Sequence, residues 1–97
     1  MRIISRRVLR AFWEQHPDAE QQLRAWFYGV RKASWRTPED VKAAHGNASI
    51  ISNNRVVFNI KGNRYRLVGM IRYDLGILYV RFIGSHEEYN SVDATTI

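Results

Sequence analysis

Basic, aromatic and imidazole side chains are concentrated between Asn54 and Asn90, a stretch that ends in His86-Glu87-Glu88-Tyr89-Asn90. A histidine and a tyrosine beside cations can exchange protons with a substrate, and arginine and lysine can stabilise phosphate oxygens. These groups suffice to cleave RNA without a metal, because the ribose 2′-hydroxyl supplies the nucleophile. The protein then has to deprotonate that hydroxyl, protonate the leaving 5′-oxygen and stabilise a charged transition state. The residue types therefore point to a phosphate-binding site that acts on RNA.

The stretch predicts three consecutive antiparallel strands, and its first turn sets the pairing of the first two. Lys61-Gly62-Asn63-Arg64 places Gly-Asn between two apolar runs, the pattern of a two-residue hairpin. Phe58 then faces Leu67, and one face of the sheet is apolar. The opposite face carries Val57, Asn59, Lys61, Arg64, Arg66 and Val68.

The second turn, Asp74-Leu75-Gly76-Ile77, leaves two registers open. A one-residue change in loop length would move every side chain of the last strand to the other face. If Asp74 faces Ile77, Arg81 lies on the basic face; the alternative buries it among apolar side chains without a visible partner. Burying an unpaired charge costs of order several kcal/mol, so we predict the first register. In that register the apolar face gains Leu78, Val80 and Phe82.

The predicted register leaves the second face open and basic. We expect Arg66 to face Ser85 and Arg72 to face Tyr79. Because like charges directly opposite each other destabilise a sheet, Lys61 beside Arg64 suggests that an anion normally lies there. The predicted catalytic residues are Arg66, Arg81, His86, Tyr89 and Lys61. The predicted RNA-binding residues are Asn59, Arg64, Arg72 and Tyr79.

Of the catalytic residues, four are expected to converge at one end of the basic face. Arg81 is set apart, because it lies about four residues from Arg66 along the strand direction, or roughly 13 Å. We expect it to hold a flanking phosphate. The alternative is that its long side chain and the twist of the sheet bring it to the phosphate that is cleaved.

Two amphipathic helices precede this sheet and are expected to cover its apolar face. Ser5 is a candidate cap for the first, and Asp18 with Gln21 predicts a capping box for the second. Their apolar positions recur at helical spacing: Val8, Leu9, Phe12, Trp13, Ala19, Leu23, Trp26, Phe27 and Val30. A short third helix is expected from Thr37 to about Ala44, and short strands at residues 3–4 and 49–52. The sequence predicts a single α+β domain over residues 1–97, with two N-terminal helices packed on one face of a small, mainly antiparallel sheet.

Composition narrows the possible partners and cofactors. Fifteen Lys and Arg against nine Asp and Glu give a net charge of +6, which favours nucleic acid first and an acidic protein second. The chain has no cysteine, so disulfides and thiolate metal sites are excluded, which fits a cytoplasmic protein. Its carboxylates lack metal-ligand spacing, and we expect no metal and no cofactor. No apolar run is long enough for a signal peptide or a membrane span.

Several linked motifs resemble the HigB-type toxins of the RelE/ParE superfamily, and the resemblance covers essentially the whole chain. The matching segments are Trp35–Lys42, Asn54–Ile60, Gly62–Leu67, Tyr79–Tyr89 and Asp93–Ile97. Ser85 and Asn90 stand where the family usually has Thr and Asp.

The resemblance implies a RelE-like fold and an mRNA interferase of a type II toxin–antitoxin pair. Such toxins cleave mRNA on the ribosome by 2′-hydroxyl attack, and a HigA-like helix-turn-helix antitoxin neutralises them. The toxin reaches operator DNA only through that antitoxin, and no membrane is involved. Carried over by motif, the functional positions are Arg66, Arg81, His86 and Tyr89.

Two other classes of function remain open. A non-catalytic RNA- or ribosome-binding module would use the same basic face but would not need His86 or Tyr89. A ParE-like toxin that inhibits gyrase would cause supercoiling defects before any loss of mRNA. The position of the acid–base candidates beside the arginines favours the nuclease.

Overall fold

A computed structural model describes residues 1–97 and shows one five-stranded sheet with helices. The elements in chain order are β1 (Arg2–Ile4), α1 (Arg6–Gln15), a 3₁₀ turn (Pro17–Ala19), α2 (Glu20–Lys32), α3 (Pro38–Ala44), β2 (Ser49–Ile51), β3 (Arg55–Ile60), β4 (Tyr65–Arg72), β5 (Ile77–Ser85) and α4 (His86–Tyr89). The strand order is β1-β5-β4-β3-β2, and only the β1–β5 pair is parallel. The predicted α+β class with a mainly antiparallel sheet is confirmed.

One face of the sheet carries the main hydrophobic core. Side chains of α1 and α2, including the fully buried Leu9, Leu23 and Val30, pack with the apolar residues of β3 and β4. The Trp26 ring meets Phe58 edge-on, with ring centroids 5.3 Å apart. The two N-terminal helices therefore cover this face, as the apolar spacing predicts. We call it the covered face.

The ends of the helices follow local capping chemistry only in part. The start of α3 has the predicted cap, in which Thr37 and Asp40 form a reciprocal capping box and Pro38 is the first helical residue. Ser5 precedes α1 but makes no side-chain cap bond. The predicted capping box at Asp18 is wrong, because Asp18 lies in the 3₁₀ turn and its Oδ1 accepts a 2.7 Å hydrogen bond from the Tyr65 hydroxyl. Asp18 therefore bonds Tyr65, 47 residues away, and does not form the predicted capping box with Gln21.

The predicted register of the β3–β4 hairpin is confirmed. Phe58 lies opposite Leu67, and Asn59 lies opposite Arg66. The Arg64 N–H donates to the Lys61 carbonyl at 3.1 Å and closes the turn. A two-residue turn fixes which residues face each other, so this part of the sheet was readable from sequence.

The predicted register of β5 is wrong for two reasons: the β4–β5 turn contains four residues (73–76) instead of two, and a β-bulge interrupts the ladder between Val68 and Gly69. Gly69 pairs with Val80 and Val68 pairs with Phe82, so Arg81 is an extra residue that opposes no single partner. A bulge shifts the alternation of side chains by one residue. Between the turn and the bulge, Arg72 faces Ile77 and Met70 faces Tyr79, a shift of two residues that keeps each side chain on its predicted face. Beyond the bulge, Arg66 faces Gly84 instead of Ser85.

The bulge moves Phe82 to the second face of the sheet, which corrects its predicted place on the covered face. Phe82 packs there against a small cluster formed by Val57, Val68 and Ala94. Ala94 belongs to the C-terminal segment (residues 90–97), which crosses this face. The Arg55 guanidinium donates to the Ile97 carbonyl at 2.6 Å and holds the segment down. The second face was expected to be open, but the C-terminal segment covers its centre.

Candidate active site

Arg66 is the most distinctive cation of the second face. It is half-buried on β4, and its Cζ lies 5.3 Å from the centroid of the Tyr89 ring, within cation–π range. Its Nε is buried without a hydrogen-bond partner, and no carboxylate lies within 4 Å of its guanidinium. A planar guanidinium that is held in place yet unpaired suits bidentate binding of a phosphate.

The helix α4 brings the two acid–base candidates to the same place. The Ser85 N–H donates to Glu88 Oε1 at 2.8 Å and the Glu88 N–H donates to Ser85 Oγ at 3.0 Å, a capping box that closes this single turn. The His86 N–H donates to the Arg64 carbonyl at 3.1 Å and ties the helix to the β3–β4 hairpin. His86 is exposed at the first position of α4, and Tyr89 is half-buried at the last.

Close packing at Gly84 keeps α4 near the sheet. A Cβ at this position would lie 2.7 Å from Phe82 Cζ and 3.2 Å from Glu88 Oε1, so no larger residue fits without displacing one of them. The Phe82 ring in turn lies 6.4 Å from the Tyr89 ring, centroid to centroid. Tyr89 is thus held between a cation and an aromatic ring.

The capping box also affects the pKa of the Glu88 carboxyl. Hydrogen bonds from the Ser85 N–H and hydroxyl, helped by His16, hold the pKa of the Glu88 carboxyl below its usual value. The carboxylate is therefore ionised at neutral pH and serves as a structural acceptor rather than as a proton donor.

Lys61 and Arg81 are also cations without an acidic partner within 4 Å. Lys61 is exposed in the hairpin turn with a left-handed φ of 56°. That turn adjoins α4, because Tyr65 faces Ser85 across the ladder. Arg81 is exposed at the bulge, on the neighbouring strand. Lys61 thus lies in the turn that adjoins α4, where its charge helps to lower the pKa of Asp18, and Arg81 lies further along β5.

The predicted RNA-binding residues differ in whether their side chains already have a partner in the protein. Arg64 lies 3.3 Å from Asp18 and Arg72 lies 3.0 Å from Asp74, measured nitrogen to oxygen, so both are ion-paired at exposed positions. Lys61 beside Arg64 is accordingly not an uncompensated pair of like charges. Tyr79 is half-buried opposite Met70.

Asn59 is the predicted RNA-binding residue that lies directly opposite Arg66. It is half-buried directly across the ladder from Arg66, and its Nδ2 lies 3.4 Å from the Asn47 carbonyl. Asn59 thus lies next to the unpaired Arg66, whereas Arg64 and Arg72 are held by carboxylates.

Three residues that shape the site were missed by sequence reasoning, namely Phe82, Gly84 and Glu88. The signals were present: Ser85-x-x-Glu88 has the spacing of a capping box, and a glycine within a strand often marks a close approach. No helix was predicted at residues 86–89, so the first signal was not used.

Comparison with known proteins places this arrangement in a family. Residues 19–92 match the sequence profile of HigB_toxin, the RelE-like toxic component of a toxin–antitoxin system. The chain belongs to the HigB toxin family. As the toxic component of a toxin–antitoxin system, a HigB toxin has an antitoxin as its partner.

Two curated relatives match this HigB-family toxin over most of both chains. The mRNA interferase toxin HigB of Escherichia coli (strain K12) is 27% identical over 92 residues, which cover 93% of this chain and 88% of the relative. The mRNA interferase HigB of Escherichia coli O6:H1 is 23% identical over 94 residues, which cover 95% and 91%.

The toxin's helices are short. None combines the length and the apolar character that a membrane crossing requires.

Proposed function

We propose that this HigB-family toxin is an mRNA interferase, an endoribonuclease that cleaves mRNA on the cytoplasmic ribosome without a metal and is neutralised by a HigA-like helix-turn-helix antitoxin. The observation that carries the proposal is the unpaired Arg66 guanidinium, which lies on the Tyr89 ring beside the helix that starts at His86. The names of the relatives, mRNA interferase HigB, support the same substrate.

The proposed reaction is an in-line displacement within the RNA itself. The ribose 2′-oxygen attacks the adjacent phosphorus, the bond from phosphorus to the 5′-oxygen breaks, and a 2′,3′-cyclic phosphate and a free 5′-hydroxyl result. One proton leaves the 2′-hydroxyl and one reaches the 5′-oxygen, so no net proton is consumed.

His86 and Tyr89 are the proposed acid–base pair, and the cations are proposed to stabilise the transition state. Arg66 lies beside the Tyr89 ring, so a phosphate bound by Arg66 would lie next to this candidate acid–base group. Arg66 and Lys61 are proposed to bind the non-bridging oxygens, where negative charge grows. Arg81 is proposed to hold a neighbouring phosphate, and Asn59, Arg64, Arg72 and Tyr79 to contact the flanking RNA.

Induction in a bacterium, followed within minutes by mapping of mRNA 5′ ends, tests the proposal. Wild-type toxin should create new 5′ ends in reading frames, and blocking translation initiation should abolish them. Tyr89→Phe or His86→Ala should reduce the ends about 100-fold or more, the usual scale of acid–base catalysis. Arg66→Ala should cost a similar factor, because it removes transition-state stabilisation.

Two exposed residues on α2 provide matched controls. Tyr28→Phe and Arg31→Ala remove the same chemical groups far from the second face and should keep wild-type cleavage. Growth arrest without new 5′ ends would contradict the nuclease and point to gyrase or to passive ribosome binding. A DNA supercoiling assay separates those two.

A further inference from the structure

A polar hollow lies beside the candidate active site, at the outer edge of β3. The hollow has a volume of about 290 Å³ and is lined by the loop from Ala44 to Ala48 together with Phe58 and Asn59. It exists because β2 pairs only with residues 55–57 of β3 and leaves residues 58–60 without a neighbouring strand. None of its lining residues is charged by type.

The hollow offers neutral hydrogen-bonding groups on a backbone that is fixed by hydrogen bonds. Its lining residues include His45, Asn47 and Asn59, whose side chains carry such groups. The His45 backbone is held on both sides, since its N–H donates to the Val41 carbonyl at 2.8 Å and its carbonyl accepts from the Ala48 N–H at 3.0 Å. The imidazole nitrogens make no hydrogen bond within the protein, although the ring packs edge-on against Phe58 at 5.2 Å.

His45 is suited to hydrogen bonding rather than to charge. Burial lowers the pKa of its imidazole, so the ring is neutral near pH 7 and has one donor and one acceptor nitrogen. Asparagine amides likewise offer a donor and an acceptor, the pattern that base edges present.

The hollow is continuous with the phosphate-binding cation. Asn59 lines it and also lies directly across the ladder from Arg66, and such pairs are about 5 Å apart. A nucleotide joins its base to its phosphate through a single sugar. A base in the hollow and a phosphate on Arg66 therefore match one nucleotide.

We infer that this hollow is a nucleobase subsite in which His45, Asn47 and Asn59 bind a base of the RNA and set the sequence preference of cleavage. The inference rests on the proposed nuclease function and extends it to three residues. A peptide is the less suitable occupant, because only three residues of the β3 edge are free for strand pairing. The volume, at the lower end for ligand sites, suits one small ring system.

Titration of the purified toxin with nucleotides, followed by NMR, tests the subsite without requiring cleavage. The probes are the four nucleoside 3′-monophosphates and, separately, inorganic phosphate. At least one nucleotide should shift the imidazole signals of His45 and the side-chain amide of Asn59, whereas inorganic phosphate should leave His45 unchanged. Asn47→Ala and Asn59→Ala should each weaken that nucleotide about tenfold, the effect of losing a hydrogen bond or two.

Asn63→Ala is the matched control, since this exposed amide lies in the hairpin turn outside the hollow. It should keep wild-type nucleotide affinity. In the 5′-end maps, Asn47→Ala should reduce about tenfold the base enrichment at one position flanking the cut.

The outcomes separate the subsite from the nuclease. Nucleotide binding at His45 by a toxin that makes no cuts would support the subsite and sink the nuclease. Equal response of His45 to inorganic phosphate, or unchanged base preference in both asparagine variants, would overturn the subsite. So would loss of antitoxin binding by these variants without any response to nucleotides, which would assign the hollow to the antitoxin.

Discussion

The two faces of the sheet differ in how they are closed. The covered face is sealed by α1 and α2 over a continuous cluster of 17 buried residues. The second face has a cluster of only three, Val57, Val68 and Ala94, beneath the C-terminal segment. Around this small patch lie the unpaired Arg66 and the helix with His86 and Tyr89. The comparison indicates that one face stabilises the fold while the other positions the candidate site, so the two properties should respond to different substitutions.

The largest expected difference between the faces is in the loss of stability when a phenylalanine on each face is replaced by alanine. Phe58 on the covered face is 2% exposed, and Phe58→Ala should lower the free energy of unfolding by about 3–5 kcal/mol. Phe82 on the second face is half-buried, and Phe82→Ala should cost roughly half as much because part of the ring is already hydrated. Urea unfolding measures both. Equal losses would contradict the proposed division between the faces.

Gly84→Ala should damage the site more than the fold. The added Cβ would lie 2.7 Å from Phe82 Cζ, and the strain of overpacking is typically about 1–3 kcal/mol. Because Phe82 and Glu88 must move, we expect cleavage to fall about tenfold or more through displacement of Tyr89. The double variant Gly84→Ala/Phe82→Leu, which makes room for the Cβ, should recover part of that loss. No recovery would show that contact with Phe82 is not the cause.

Ser85→Ala removes half of the α4 capping box and should have a smaller effect. Loss of an N-cap costs about 1 kcal/mol, here confined to a single turn. Cleavage should fall a few-fold while the urea midpoint of the whole domain hardly changes. Ser85→Thr keeps a hydroxyl at the cap and serves as the control, with activity near that of wild type.

The smallest effect is a pH dependence at the edge of the covered face. Burial lowers the pKa of His45 in the fold, whereas the unfolded chain titrates near the usual 6.5. Below about pH 6.5 the unfolded state binds the proton more readily, so stability is lost as the pH falls towards the folded pKa. The wild-type urea midpoint should therefore decline between pH 7.5 and 5.5 more steeply than that of His45→Phe. Parallel profiles would contradict a buried, neutral imidazole.

The covered face was predictable because its signals are local. Helical spacing of Leu9, Leu23 and Val30 and the two-residue turn at Gly62-Asn63 fix the helices and the β3–β4 register. The second face was predicted less well, since the alternation of Val80 and Phe82 gives no warning that Arg81 is an extra residue. Likewise, Asp18 has a local capping pattern but bonds Tyr65, 47 residues away. Contacts that join distant parts of the chain leave no trace in short windows of sequence.

The bulge at Arg81 has a consequence for comparing relatives of this toxin. The part of β5 before the bulge and the part after it alternate out of phase, so Val80 and Ile83 both lie on the covered face although they are three residues apart. An alignment that assumes strict alternation would assign every later residue of β5 to the wrong side. Gaps between family members in this strand therefore belong at the bulge, and a relative that lacks one residue there should keep its counterparts to Phe82 and Ile83 on the same sides as in this toxin.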